Sequence, residues 1–156
     1  MIDASFGPAP LDNFKIARAE PSAFAGATTA ARGDKDTASG AYTIFTVTGD
    51  VLVRVWGVCT TGLAGASGTL ELGVTGNTAY LIAQTTATNI TANKIWSDSS
   101  PSIGDTLASV LGPFIVPNGL DIIETTKTTD LSAGQIYYLC LWRALSSDGS
   151  VVGVSS

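Results

Sequence analysis

From position 41 to the C-terminus the chain is a succession of short apolar runs, at 42–48, 51–60, 68–74, 79–85, 89–96, 106–116, 120–126, 135–145 and 151–154. None carries a helical period. Residues two apart share a character, which is the pattern of extended strands whose side chains point alternately to opposite faces. In 51–59 one face holds Val51, Val53, Val55, Gly57 and Cys59, and the other Leu52, Arg54, Trp56 and Val58. In 136–143 the faces are Ile136, Tyr138, Cys140 and Trp142 against Tyr137, Leu139, Leu141 and Arg143. Both runs are apolar on both faces. That predicts central strands of a sheet covered on two sides, with each arginine near a strand end or at an interface.

The separators carry turn chemistry. Thr48-Gly49-Asp50, Gly62-Leu63-Ala64-Gly65, Thr75-Gly76-Asn77, Pro117-Asn118-Gly119 and Ser147-Asp148-Gly149 supply residues that tolerate positive φ. Strands at this spacing predict an all-β chain folded as an antiparallel two-sheet sandwich. With about eight or nine strands the best single topology is a jelly roll, ahead of an immunoglobulin-like order.

A chain of 156 residues suits one such domain. Only 13% of its residues are charged and 45% are hydrophobic, where about 25% charged is usual. Disordered chains show the opposite balance. A surface partly covered by other protein accounts for the shortfall, because charge is depleted at interface cores. The net charge of −5, with eight scattered Lys and Arg, argues against nucleic acid, which requires a basic stripe. No run reaches the ~18 apolar residues of a membrane-spanning helix, and the first residues lack the basic and apolar regions of a secretory signal.

Residues 1–40 differ in texture from the body at 41–156. Pro8, Pro10 and Pro21 interrupt regular structure, and the tract 33–40 has the composition of a loop. Phe6, Leu11, Phe14, Ile16 and Phe24 are spaced irregularly among Ala, Gly, Thr and charged residues. These five are the candidate contact residues of an extended N-terminal arm. Such an arm either folds back on its own domain or reaches onto a neighbouring subunit.

Equipment for catalysis is scarce. The chain has no histidine, so neither a Ser-His-Asp nor a Cys-His arrangement nor a His-based metal site can be built. The carboxylates of the body fall mostly at turns and strand ends, where solvation explains them, and no calcium-loop spacing is present. No cofactor, metal or catalytic residue is expected. Cys59 and Cys140 fall inside strand runs and read as two small buried thiols, with a disulfide as the alternative. Arg32-Gly33-Asp34 matches a cell-adhesion tripeptide that recurs by chance. Trp56, Trp96, Tyr137, Tyr138 and Trp142 could form a sugar-stacking platform, although aromatics in such apolar strands more often pack in a core or an interface.

The stretch 46–58, TVTGDVLVRVWGV, resembles small β-rich proteins encoded among the virion genes of tailed bacteriophages. So do 72–79 with 81–88, Ile95-Trp96-Ser97-Asp98 and 138–146, YLCLWRALS. The likeness spans about residues 44–154 and omits the arm. It implies a non-enzymatic capsid-associated role, such as a decoration (cement) protein on the head surface of a virion assembled in the host cytoplasm. The partners implied are the major capsid protein and copies of the chain itself, as a homo-oligomer and most simply a trimer about a local three-fold axis. The alternative is a receptor- or carbohydrate-binding sandwich of a tail or spike.

Overall fold

A computed structural model describes residues 13–36, 40–104 and 113–155. Among them lie ten strands: β1 (Lys15–Ala19), β2 (Ala41–Thr48), β3 (Val51–Ala64), β4 (Thr69–Val74), β5 (Asn77–Thr86), β6 (Ile95–Trp96), β7 (Phe114–Val116), β8 (Ile122–Lys127), β9 (Ala133–Ala144) and β10 (Ser150–Gly153). They form two antiparallel sheets. One runs β1-β9-β3-β6, with β7 also paired to β3, and the other runs β10-β2-β8-β4-β5. The protein is an all-β two-sheet sandwich. The two runs expected at the centre do lie side by side there, with Val51 opposite Ala144 and Cys59 opposite Ile136.

Alternation sets the core. Val51, Val53, Val55, Cys59, Ile136, Tyr138 and Cys140 point inward from the β3/β9 sheet. Ile44, Phe45, Leu70, Leu72 and Ile122 join them in the core from the β2/β8 sheet. Gly57 sits in the inward row of β3, where a Cβ would come within 2.8 Å of Ile136 Cγ2 and 3.1 Å of the Tyr138 ring. The missing side chain makes room for Tyr138, whose ring meets Trp96 edge-on at 6.3 Å.

Both flanks are pinned. On one, the Glu20 amide donates to Val154 O at 2.9 Å and the Val154 amide to Ile44 O at 2.9 Å. On the other, the Trp96 indole N–H donates to Thr85 Oγ1 at 2.9 Å, and the Tyr80 hydroxyl to Ile115 O at 3.2 Å.

Two local expectations change, and a third falls partly outside the described residues. The Gly62–Gly65 separator is no turn: β3 continues to Ala64 through register shifts, burying Leu63. The run at 89–96 is a strand only at Ile95–Trp96. Before it come a 3₁₀ turn over Ala87–Asn89 and a reversal at Asn93, which has φ 68. The apolar residue that suggested a longer strand, Ile90, is buried but lies in that turn region. Of the run at 106–116, positions 106–112 lie outside the described residues, and 114–116 are β7.

The segment read as an arm is, over 13–36, part of the sandwich. β1 is the edge strand beside β9, registered from Lys15 opposite Trp142 to Ala19 opposite Tyr138. The chain then crosses one end of the sandwich as a strap. There the Phe24 amide donates to Gly134 O at 3.0 Å, the Gly26 amide to Leu131 O at 2.8 Å, and the Leu131 amide to Gly33 O at 2.9 Å. Over 13–36 the segment thus folds back on its own domain. The physical reason is a charge buried between the sheets.

That charge is Arg32. Its guanidinium is forked onto Glu124 of β8, with Nε donating to Oε1 at 2.9 Å and Nη2 to Oε2 at 2.6 Å. Nη1 donates to Ser22 O at 2.7 Å, and the Phe24 ring centre lies 3.9 Å from the guanidinium carbon. The Tyr138 hydroxyl donates to Glu124 Oε2 from the opposite sheet. Residue exposures are 2% for Arg32 and 1% for Glu124. Burial works against the Arg32 charge, but Glu124 outweighs it and holds the group above its ordinary pKa. The adhesion-like tripeptide is thus interior: Asp34 is 7% exposed, and Gly33 has φ 96 with no room for a Cβ beside Leu131 O.

Cys59 and Cys140 are both free and buried. Cys140 pairs with Val55, four residues along β3 from Cys59, a separation of about 13 Å at strand rise. A disulfide needs Cα atoms within about 7 Å, so none can form without moving a strand. Burial raises the pKa of both thiols, partly offset for Cys59 by a hydrogen bond to Thr61, and burial with Glu124 raises that of the Tyr138 phenol. Unfolded thiols titrate at about 8.5 and phenols at about 10. Stability from the two thiols is fully present below about pH 8.5 and that from the phenol below about pH 10, and each is lost as the pH rises above that value. Urea unfolding should show a midpoint that falls steeply between about pH 8.5 and 10.5. A thiol reagent should label neither cysteine until the chain unfolds. Labelling of the native protein would contradict this burial.

Candidate interaction face

The outward side of the β3/β9 sheet is the least ordinary surface of the molecule. Backbone register arranges it in rows across the strands. Arg143 and Leu52 lead to Ile115. Ile16, Leu141 and Arg54 form the next row. Arg18, Leu139 and Trp56 follow, and Tyr137, Val58 and Ile95 close the set. An antiparallel sheet with one wet face shows polar residues there. Here apolar side chains occupy most positions.

The opposite sheet differs in composition. Its side away from Glu124 carries Thr43, Ile123, Thr125 and Glu71, of which Ile123, Thr125 and Glu71 are buried. Glu71 accepts the Thr78 hydroxyl and is bridged by Lys127 at 2.6 Å. Thr125 Oγ1, by contrast, is buried there with no hydrogen-bond partner among the described residues.

On the β3/β9 face, Lys and Asp are absent from the rows, and the neighbouring carboxylate of Glu20 is bridged to Arg18 at 2.5 Å. Two of the arginines are held by aromatic rings: Arg18 lies 4.3 Å over Tyr137 and Arg143 5.4 Å over Phe14. Such contacts are worth about 0.5–1 kcal/mol each at exposed sites and fix the guanidinium planes. Aromatics and Arg enriched, Lys and carboxylates depleted, is the composition of a protein-binding surface. All the described strands belong to the two sheets, so no described strand covers this face. Ile16 is 68% exposed, whereas Leu141 is 8% exposed and outside the core cluster.

The five arm residues separate. Phe14 is half-buried under Arg143, and Ile16 stands exposed in the second row. Phe24 is buried beneath Arg32 and offers nothing to a partner. Phe6 and Leu11 lie outside the described residues. Of the aromatics considered for sugar stacking, Trp96, Tyr138 and Trp142 are buried, which leaves Trp56 and Tyr137 half-buried on the outer face. The rows themselves are implied by the two-faced apolar runs. The Arg32–Glu124–Tyr138 cluster is not, because residues 92 positions apart leave no local signal.

What the fold and this face define is an antiparallel β-sandwich with one apolar, arginine-bearing sheet surface. No family model matches the chain, and neither a curated protein nor a solved structure is similar enough to match it.

Proposed function

We propose that the chain is a non-enzymatic structural protein of a tailed-phage virion, of the head-decoration type, that packs onto the shell of major capsid protein through the outer face of the β3/β9 sheet. One observation carries the packing role: among the described residues, Leu52, Trp56, Leu139 and Leu141 stand among arginines on the outward side of a sheet. The resemblance over 44–154 supports the virion setting, and the absence of histidine supports a non-enzymatic role. The strand order supports a jelly roll as well. β4 pairs β5, β3 pairs β6 and β7, β2 pairs β8, and β1 pairs β9. These are nested pairings, as in one long antiparallel ribbon, and the β9–β3 and β8–β4 pairings are where such a ribbon wraps onto itself.

Trp56→Ala tests the reading. Central aromatic anchors of an interface cost about 2 kcal/mol or more when truncated, so attachment to heads should weaken by at least about 30-fold. The variant should still fold, because Trp56 is only half-buried and outside the core cluster. Unchanged attachment would overturn the assignment of this face. Saturable glycan binding lost on the same substitution, with no affinity for heads, would favour the receptor-binding alternative.

A further inference from the structure

We infer that the shell surface met by the outer face of the β3/β9 sheet bears carboxylates, which fork onto Arg143 and pair with Lys15 at the β1 corner of that face. This rests on the packing role proposed above and names the chemistry of the partner.

The chain's own ion pairs single out these two cations. Glu20 holds Arg18, Glu124 holds Arg32, Asp36 holds Lys35 and Glu71 holds Lys127. Lys94 donates to Asn89 O at 3.0 Å, and Arg54 is engaged as well. Arg143 and Lys15 are exposed and, among the described residues, touch no carboxylate. Each lies against an aromatic ring instead, Arg143 5.4 Å from Phe14 and Lys15 5.1 Å from Trp142. Register brings them to one corner, because Lys15 pairs with Trp142, the residue before Arg143. Successive side chains leave a strand on opposite sides. Arg143 therefore belongs to the outer face, and Lys15 flanks it across the β1 edge.

The acids that match this corner are not the chain's own. Every described Asp and Glu already accepts a hydrogen bond or holds an ion pair inside the molecule. A second copy offers no uncommitted carboxylate, and two chains of net charge −5 repel one another. The shell is the remaining source. A ring against a guanidinium fixes its plane and leaves its N–H edge free, which is the geometry that forks onto a carboxylate. Arg143 opens the row that runs through Leu52 to Ile115, so its charge stands at the rim of the apolar contact. Rim charges set the orientation and rate of attachment more than its final strength.

Attachment of the full chain to heads at about 30 mM and about 500 mM salt tests this, since the screening length falls from about 18 Å to about 4 Å between them. At low salt Lys15→Gln/Arg143→Gln should attach about 10-fold more weakly than the wild type, and Lys15→Glu/Arg143→Glu about 100-fold. At high salt both differences should shrink to about 3-fold or less. Trp56→Ala should lose the same factor at both salts. Urea unfolding should give near-normal midpoints for the charge variants, which shows that they fold. Equal attachment of wild type and charge variants at low salt, or a loss that salt leaves unchanged, would overturn the inference. If Trp56→Ala is still impaired in that case, the acidic partner fails alone and the packing role stands. Charge sensitivity that vanishes in a chain beginning at Asn13 would also overturn it, by assigning the acids to Asp3 and Asp12. So would a multimer of the free chain that the charge variants dissociate, which would assign them to a second copy.

Discussion

Replacing Arg32 with alanine is expected to destabilise the protein by about 3–5 kcal/mol, because it leaves Glu124 as an uncompensated charge between two sheets. Against a usual total of about 5–15 kcal/mol for a domain, that is enough to unfold much of the population at moderate temperature. The geometry makes the loss larger than one bond would suggest. Two forked hydrogen bonds to Glu124, one to Ser22 O and the stacking on Phe24 disappear together. The partner groups stay where they are, since β8 is interior to its sheet.

A companion variant separates lost attraction from stranded charge. In Arg32→Met/Glu124→Leu/Tyr138→Phe all three polar partners become apolar at similar volume, and position 138 no longer needs an acceptor. Apolar replacement of a buried ion pair is often neutral or stabilising, so most of the loss should return. Urea unfolding followed by tryptophan fluorescence measures both. A loss under about 1 kcal/mol for Arg32→Ala would mean that Glu124 finds water or moves.

The second large effect concerns the N-terminal segment. A chain beginning after position 36 lacks β1, Phe24 and Arg32 at once, and it should be insoluble or lack cooperative unfolding. Three costs coincide. The edge of β9 opens along five registered residues, Phe24 leaves the core, and Glu124 is left alone. An open hydrophobic edge strand is also a template for aggregation. A chain beginning at Asn13 keeps every contact described above and is the control. If the body from position 37 onward unfolds cooperatively with near-normal stability, the segment is an appendage after all.

The N-terminal segment also marks the limit of what local sequence can declare. A run such as Val51–Cys59 announces its strand, its two faces and its central place, because alternation is local and a second apolar face on one strand requires a second covering layer. The role of 13–36 has no such signal. Phe24 reads as an aromatic anchor in a Pro-punctuated arm, which it is, but its anchorage is its own core. Arg32 reads only as part of a chance tripeptide beside a Gly/Asp tract, and it is Glu124, buried by its place in β8, that makes it interior. Burial of paired charges is a property of the assembled sheets, not of either local sequence. Turn signals fail at Gly62–Gly65 for a related reason: glycines that suit a reversal also suit the irregular register through which β3 continues. Of the contact residues expected from the arm, Phe14 and Ile16 lie at the outer face. Its more central members, Trp56, Leu139 and Leu141, are legible as the second face of the two central strands.

Everything above turns on whether the outer face of the β3/β9 sheet is covered by other protein when the chain does its work. Hydroxyl-radical footprinting reads this directly, since Trp56, Tyr137 and Leu139 are oxidised in proportion to their exposure to solvent. These three side chains, together with Ile16, should lose reactivity when free protein is compared with protein on the assembled particle, while Val152 on the β10 edge keeps its own. Equal oxidation of Trp56 and Ile16 in both states, or protection confined to the threonine-bearing face of the β2/β8 sheet, would contradict a covered β3/β9 face.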